Sequence, residues 1–204
     1  MLHKQAIRTD TLDTLIRIQA LPELSGTRLV GGTALALQLG HRLSIDIDLF
    51  GIWDRSLDLR AILGRCGVVC EEHRTESIRI FTVDDIKVDI VYYEYEWLAP
   101  PQELECIRMA AIADIAPMKV DAITSRGSKK DLLDLAFLLD RHPLDEILDG
   151  YKRKYPQGSE YLVLRSLVYF EDAEDDPMPV MLKPLTWEAA KERIRHAVRA
   201  QALK

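Results

Sequence analysis

Apolar positions along the chain follow two spacings, alternation and the helical repeat, and the first gives way to the second near residue 100. Leu12, Leu15, Ile16 and Gln19 lie on one helical face behind Asp10, which predicts a first helix over about residues 10–20 with Asp10 as its cap. Pro22 and Gly26 end it. Thr27-Arg28-Leu29-Val30 reads as a short strand running into Gly31-Gly32. Thr33–Leu39 is rich in Ala and Leu and predicts a helix closed by Gly40. Ser44–Phe50 alternates strictly, as a strand does, and Asp58–Cys66 reads as a short helix. Extended runs follow over about 67–72, 77–83 and 86–93, the last two joined by an Asp84-Asp85 hairpin turn.

Pro100-Pro101 interrupts this pattern, and helical periodicity is expected from about 103 to 170. Its segments are Ile107–Ile115, Val120–Thr124, Asp131–Leu139 and Ser159–Phe170. Glu171–Asp176 packs five acids into six residues and is expected to be a solvated loop. Thr186 caps a last helix running to near Ala200. The fold class that results is α/β (α+β): a mixed sheet with helices over residues 1–99, then a mainly helical half over 100–204. No internal repeat interrupts this order.

Composition narrows the options. The 204 residues carry 33 acidic and 27 basic side chains, a formal charge of −6, and 48% are hydrophobic, so the chain should fold without staples. No apolar run approaches the roughly 20 residues that span a bilayer, so no membrane partner is expected. The first nineteen residues scatter charges among their apolar positions, unlike a secretory signal. Cys66, Cys70 and Cys106 make neither a disulfide framework nor a zinc site; reduced thiols in the cytoplasm are the expectation. A pI near 5.4 argues against coating nucleic acid through bulk charge and leaves room for a local basic patch.

Chemistry concentrates in Val30–Phe50, VGGTALALQLGHRLSIDIDLF. A strand enters Gly31-Gly32-Thr33 and passes directly into a helix. Glycines let a ligand approach the backbone, and the first helical N–H groups form an anion cradle suited to a phosphate, with the Thr33 hydroxyl as an added donor. Asp46 and Asp48, two apart on a strand, leave the same face at roughly 6–7 Å. Two neighbouring carboxylates repel each other, and a bound Mg²⁺ (or Mn²⁺) offsets the repulsion through hard oxygen ligands. Asp89, on the strand Ile86–Val91, would complete a metal triad if that strand lies beside the first. The competing reading pairs Asp89 with Lys87 or Arg79.

A glycine turn, then Asp-x-Asp, then a later Asp resembles the nucleotidyltransferases related to DNA polymerase β. More closely, GGTALALQLGHRLSIDIDLF resembles the signature of the nucleotidyl transferase AbiEii/AbiGii toxin family, and MKVDAITSRGSKKDLLDLAFLL over residues 118–139 continues the likeness. The resemblance implies transfer of a nucleotidyl group from an NTP with Mg²⁺, to an acceptor expected to be tRNA, by the toxin of a toxin–antitoxin or phage-defence pair with a cognate antitoxin. Carried over by residue, Gly31, Gly32 and Thr33 hold triphosphate oxygens, and Asp46 and Asp48, with Asp89, bind metal. Lys119 contacts the triphosphate with Arg126 nearby, and Asp131 or Asp134 matches the later acid. Lys130 stands where the family commonly has Arg, and Gly32 where it often has Ser. His41 and Arg42 either touch the nucleotide or pin the loop, and pinning is the preferred reading.

The residues of this second block support part of that assignment. Lys119, Arg126, Lys129 and Lys130 place four positive charges within twelve residues, able to face a triphosphate or an RNA end. Eight basic and seven acidic residues between Lys119 and Lys154 make the region no strongly basic domain. Asp131 is also placed to cap the helix after it, which leaves Asp134 the preferred functional acid. The alternatives are transfer to a small molecule such as an aminoglycoside, favoured by an acidic cleft near 171–176, transfer to a protein, and a catalytically silent nucleotide- or protein-binding relative.

Overall fold

The computed structural model describes residues 2–202 and divides into two compact units. The chain changes unit at 94/95, 99/100 and 111/112. The first unit holds α1 (Thr9–Gln19), β1 (Thr27–Leu29), α2 (Gly31–Leu39), β2 (Ile47–Gly51), α3 (Leu59–Leu63), β3 (Val69–Arg74), β4 (Ile78–Val83), β5 (Ile86–Tyr92), β6 (Gln102–Leu104) and β7 (Ile107–Met109). The strands form one mixed sheet in the order β3-β4-β5-β2-β1-β7-β6. β2 lies parallel to β5 and β1 parallel to β7, while the remaining neighbours are antiparallel. Alternation along β4 and β5 buries Phe81, Val83, Val88 and Ile90 beside Ile47 and Leu49 of β2. That leaves the opposite face of these central strands to polar side chains.

Local chemistry sets several boundaries. Asp84 and Asp85 both take positive φ (48° and 64°), giving the tight β4–β5 hairpin expected from the sequence. Asp58 caps α3 by accepting from the Ala61 N–H at 3.2 Å. The first helix starts one residue ahead of Asp10, which lies within the first turn, where its carboxylate binds Arg8 and accepts from the Thr11 N–H at 2.7 Å. The larger departure is at Ile107–Ile115, expected as helix. Glu105 and Cys106 adopt positive φ and turn the chain, so Gln102–Leu104 and Ile107–Met109 become a hairpin. Pairing explains this outcome. Met109 sits beside Leu29, and the Arg108 guanidinium donates to the carbonyls of Thr27 (2.6 Å) and Leu24 (3.1 Å), which fixes β7 against β1.

The second unit contains α4 (Ile112–Arg126), α5 (Lys129–Leu138), α6 (Leu144–Lys154), α7 (Glu160–Leu167), α8 (Glu171–Glu174) and α9 (Trp187–Ala202). α4 packs against α5, α6 and α7 and buries Ile115, Val120 and Ile123. Asp114 on α4 is fully buried and accepts from the Leu98 and Ala99 N–H groups at 2.8 and 3.2 Å. Lys154, also fully buried, pairs with Asp114 at 2.7 Å and donates to the Glu96 carbonyl, tying residues 95–99 to this unit. The acidic run 171–176 is only partly a solvated loop. It includes α8, whose Glu174 binds Lys191 (2.8 Å) and Trp187 Nε1 (2.9 Å), and Asp176 accepts from the Lys129 N–H at 2.9 Å. Among the described residues no helix is long and apolar enough to cross a membrane. The three cysteines are free.

Candidate active site

The Gly-Gly turn is built by what presses on it. Val30 is the extended residue before α2, and Gly31 opens the helix at φ +67°, a conformation that L side chains rarely adopt. A Cβ on Gly31 would strike the Asp48 carboxylate, and one on Gly32 would strike the Arg42 guanidinium. The two glycines therefore admit one acid and one base to the start of the helix. Thr33 is fully buried. Its hydroxyl bonds Ser44 Oγ at 2.8 Å and also the Asp46 carbonyl, which fixes the chain just before β2. His41 and Arg42 are buried as well, and Arg42 Nη1 donates to the Leu43 carbonyl at 3.0 Å.

The sheet brings two of the three expected metal ligands side by side. β2 and β5 run parallel in a register that places Asp48 opposite Asp89, so both carboxylates rise from one face on strands about 4.8 Å apart. Asp46 lies just before β2, half-buried. Asp89 Oδ2 accepts from Lys87 Nζ at 2.8 Å, while its Oδ1 is buried without a hydrogen-bond partner. Lys87 therefore takes the role that the sequence left open between itself and Arg79. Arg79 points the other way, because it pairs with Ile90 and not with Asp89. Burial disfavours the Lys87 ammonium, yet the Asp89 hydrogen bond and the charges of Asp89, Asp46 and Asp48 raise its pKa above the ordinary value.

Those residues suit a hard divalent cation. The donors are all carboxylate oxygens, one of them a buried acceptor with nothing to accept, and Lys87 offsets only one of the three negative charges. Among the described residues no three acidic, histidine or cysteine side chains are drawn together into a finished metal cage.

The second block forms its own buried network within the helical unit. Lys119 of α4 is 4% exposed, and its Nζ lies 2.8 Å from Asp131 and 2.7 Å from Asp134, both fully buried on α5. Arg126 adds a two-pronged contact to Asp131 at 2.8 and 3.2 Å, and the Ser128 hydroxyl donates to the same carboxylate at 2.6 Å. Burial alone would raise the Asp131 pKa; the Lys119 charge and the Arg126 hydrogen bond overcome it and hold that carboxyl far below the usual range. Ser128, not Asp131, occupies the N-cap position of α5. Lys130 is exposed, and Lys129 is buried with Nζ donating to the Glu174 carbonyl at 2.8 Å. The sequence did not single out Asp114 and Lys154. Each is an ordinary helical residue by spacing, and only the packing shows that they pair.

Comparison with known proteins agrees with this architecture. An uncharacterised protein of Aquifex aeolicus (strain VF5) is 32% identical over 200 residues, covering 95% of this chain and 96% of the relative. The nucleotidyltransferase toxin MenT4 (Rv2826c) from Mycobacterium tuberculosis H37Rv superposes with a TM-score of 0.62 at 16% identity, over 94% of this chain and 84% of that one. A nucleotidyltransferase structure from Helicobacter pylori, described as putative in its name, gives a TM-score of 0.60 at 18% identity, over 97% and 99% of the two chains. At such identities these two establish a shared fold. The family model for the nucleotidyl transferase AbiEii toxin of type IV toxin–antitoxin systems matches residues 15–203, and the chain belongs to that family.

Proposed function

We propose that the chain transfers a nucleotidyl group from an NTP to an RNA acceptor, tRNA in the first instance, and that Asp46, Asp48 and Asp89 hold a divalent cation, Mg²⁺ or Mn²⁺, for the reaction. The observation that carries this reading is the position of Asp48, against Gly31 at the start of α2 and beside Asp89 across β2 and β5. Bound there, the cation would supply charge neutralisation for the triphosphate and a lower pKa for the attacking hydroxyl. Gly31 and Gly32 open α2, whose first N–H groups favour a phosphate, and the missing Cβ of Gly32 admits the Arg42 guanidinium beside them. Thr33, bonded to the Asp46 carbonyl, positions that carboxylate. In the transfer an acceptor oxygen attacks the α-phosphorus, pyrophosphate leaves, and the acceptor proton passes to a neighbouring carboxylate.

In the helical unit we assign Arg126 and Lys130, both exposed, to the triphosphate or the RNA end. Lys119 supports them by fixing α4 to α5 through Asp131 and Asp134. The family's type IV toxin–antitoxin description supports a cognate antitoxin as partner. The acidic run offers less support to a cationic antibiotic as acceptor, since Glu174 and Asp176 already engage Lys191 and Lys129.

The test incubates the protein with each α-radiolabelled NTP, Mg²⁺ and total bacterial RNA, alongside Asp48→Asn. Label should enter tRNA-sized RNA from one preferred NTP and vanish in the variant, with the circular dichroism spectrum unchanged. Label in neither protein would remove the RNA acceptor, and full activity in Asp48→Asn would remove the carboxylate mechanism.

A further inference from the structure

The face of the sheet opposite the carboxylates carries a second polar cluster that nucleotidyl transfer does not use. Arg79 of β4 belongs to the buried face, in register with Ile90, and is only 6% exposed. Its Nη1 lies 3.5 Å from Glu71, a long contact, and its Nε is buried with no hydrogen-bond partner. Trp53, after β2, is 4% exposed, and its indole N–H likewise has none. Two buried donors without acceptors lose their hydration with no hydrogen bond in return, and call for an explanation.

The neighbours of these donors are specific. The Arg79 guanidinium lies 5.9 Å from the centre of the Trp53 ring, and the Arg55 guanidinium 4.7 Å from that of Tyr92. The two rings meet edge-on at 6.0 Å. A guanidinium that stacks on a ring keeps its N–H edge available for an oxyanion. β3 adds Arg74 directly across from Arg79, a like-charge pair that destabilises the sheet unless something negative intervenes. Arg55, Glu76 and Arg79 line a cavity of about 290 Å³. Two arginines and one glutamate thus line the cavity, Arg79 reaches Glu71 only at 3.5 Å, and the Arg79 Nε–H and Trp53 indole N–H have nothing to bind.

We infer that this cavity is a phosphate-binding site, separate from the carboxylate cluster, formed by Arg55 and Arg79 over Trp53 and Tyr92. Arginine forks match phosphate oxygens, and aromatic rings beside them are the combination that holds a single-stranded polynucleotide. The phosphate group can belong to an RNA backbone or to free phosphate. The inference does not depend on the proposed transfer reaction.

Isothermal titration in EDTA separates the sources, using inorganic phosphate and a short single-stranded oligoribonucleotide against wild type, Arg55→Ala, Arg74→Ala, Arg79→Met and Asp48→Asn. Wild type should bind the oligoribonucleotide, and Arg55→Ala should weaken it about tenfold, the loss expected for one charged hydrogen bond. Asp48→Asn should bind as wild type does, so a failed transfer assay leaves this result standing. Binding of both probes, both lowered in Arg55→Ala, supports a site that any phosphate group fills. Binding of the oligoribonucleotide alone, lowered in the same way, supports a backbone phosphodiester. Arg55 is exposed, so Arg55→Ala serves if Arg79→Met fails to fold. No binding by wild type, or equal binding by Arg55→Ala and wild type, overturns the inference.

Discussion

Lys87 and the acids around it govern the polar face of the sheet. Its ammonium bonds Asp89 directly and lies in the field of Asp46 and Asp48, which keep it protonated throughout the neutral range. A divalent cation held by those carboxylates would compete with it. Lys87→Met should therefore tighten Mn²⁺ binding about two- to fivefold, the worth of an exposed ion pair, in a titration followed by electron paramagnetic resonance. Unchanged or weaker binding would mean that Lys87 does not compete. At this scale the sequence was legible in part. Asp46 and Asp48 stood out because carboxylates two apart repel, and Asp89 because it alternates with Val88 and Ile90. That Asp89 lies beside Asp48 depends on the β2–β5 register, which no local spacing encodes. The contact of Asp48 with Gly31 has the same origin, since the two meet only when β1 and β2 pair.

Among the elements, α4 and α5 show how a chemical motif can serve the fold. Lys119, twelve residues before Asp131, pairs with two carboxylates buried inside the helical unit, and Arg126 shares Asp131 with it. Removing one partner of a buried ionic cluster leaves the others charged and desolvated. Lys119→Met should cost about 3–5 kcal/mol, seen as a lower urea midpoint with little change in slope. A loss below about 1 kcal/mol would mean that the three charges are solvated, and Lys119 would become available for the triphosphate. The sequence marked these residues as chemically distinctive but not as mutually satisfied, because partners on different helices follow from packing and not from spacing. The hairpin at 102–109 eluded the periodicity for a related reason. Ile107, Met109 and the alanines after them fit a helical face equally well, and only the edge offered by β1 selects the strand.

Across the molecule, protonation links these local charges to stability. Asp131 has a folded pKa well below its unfolded one, so it contributes stability that is fully present above about pH 4 and is lost as pH falls toward the depressed value. Asp121 has the opposite sign: burial raises its pKa, so protonation between neutral pH and about 4 favours the folded state. As pH falls below 7, the formal charge of −6 passes through zero near the pI of 5.4, and self-repulsion is least there. These contributions together predict a urea midpoint that holds or rises slightly from pH 7 to 5 and falls steeply below pH 4. Asp131→Asn should start lower at pH 7 and have a shallower acid limb, the difference amounting to on the order of 3 kcal/mol. Equal limbs in the two proteins would assign the acid sensitivity to other groups. Mn²⁺ supplies the complementary test, because Asp46, Asp48 and Asp89 all belong to the first unit and Asp131 to the second. The metal should raise the midpoint at pH 7 by mass action on the folded sheet. It should leave the Asp131-dependent difference between the acid limbs in place, since none of the carboxylates proposed to hold it is part of the Lys119 network.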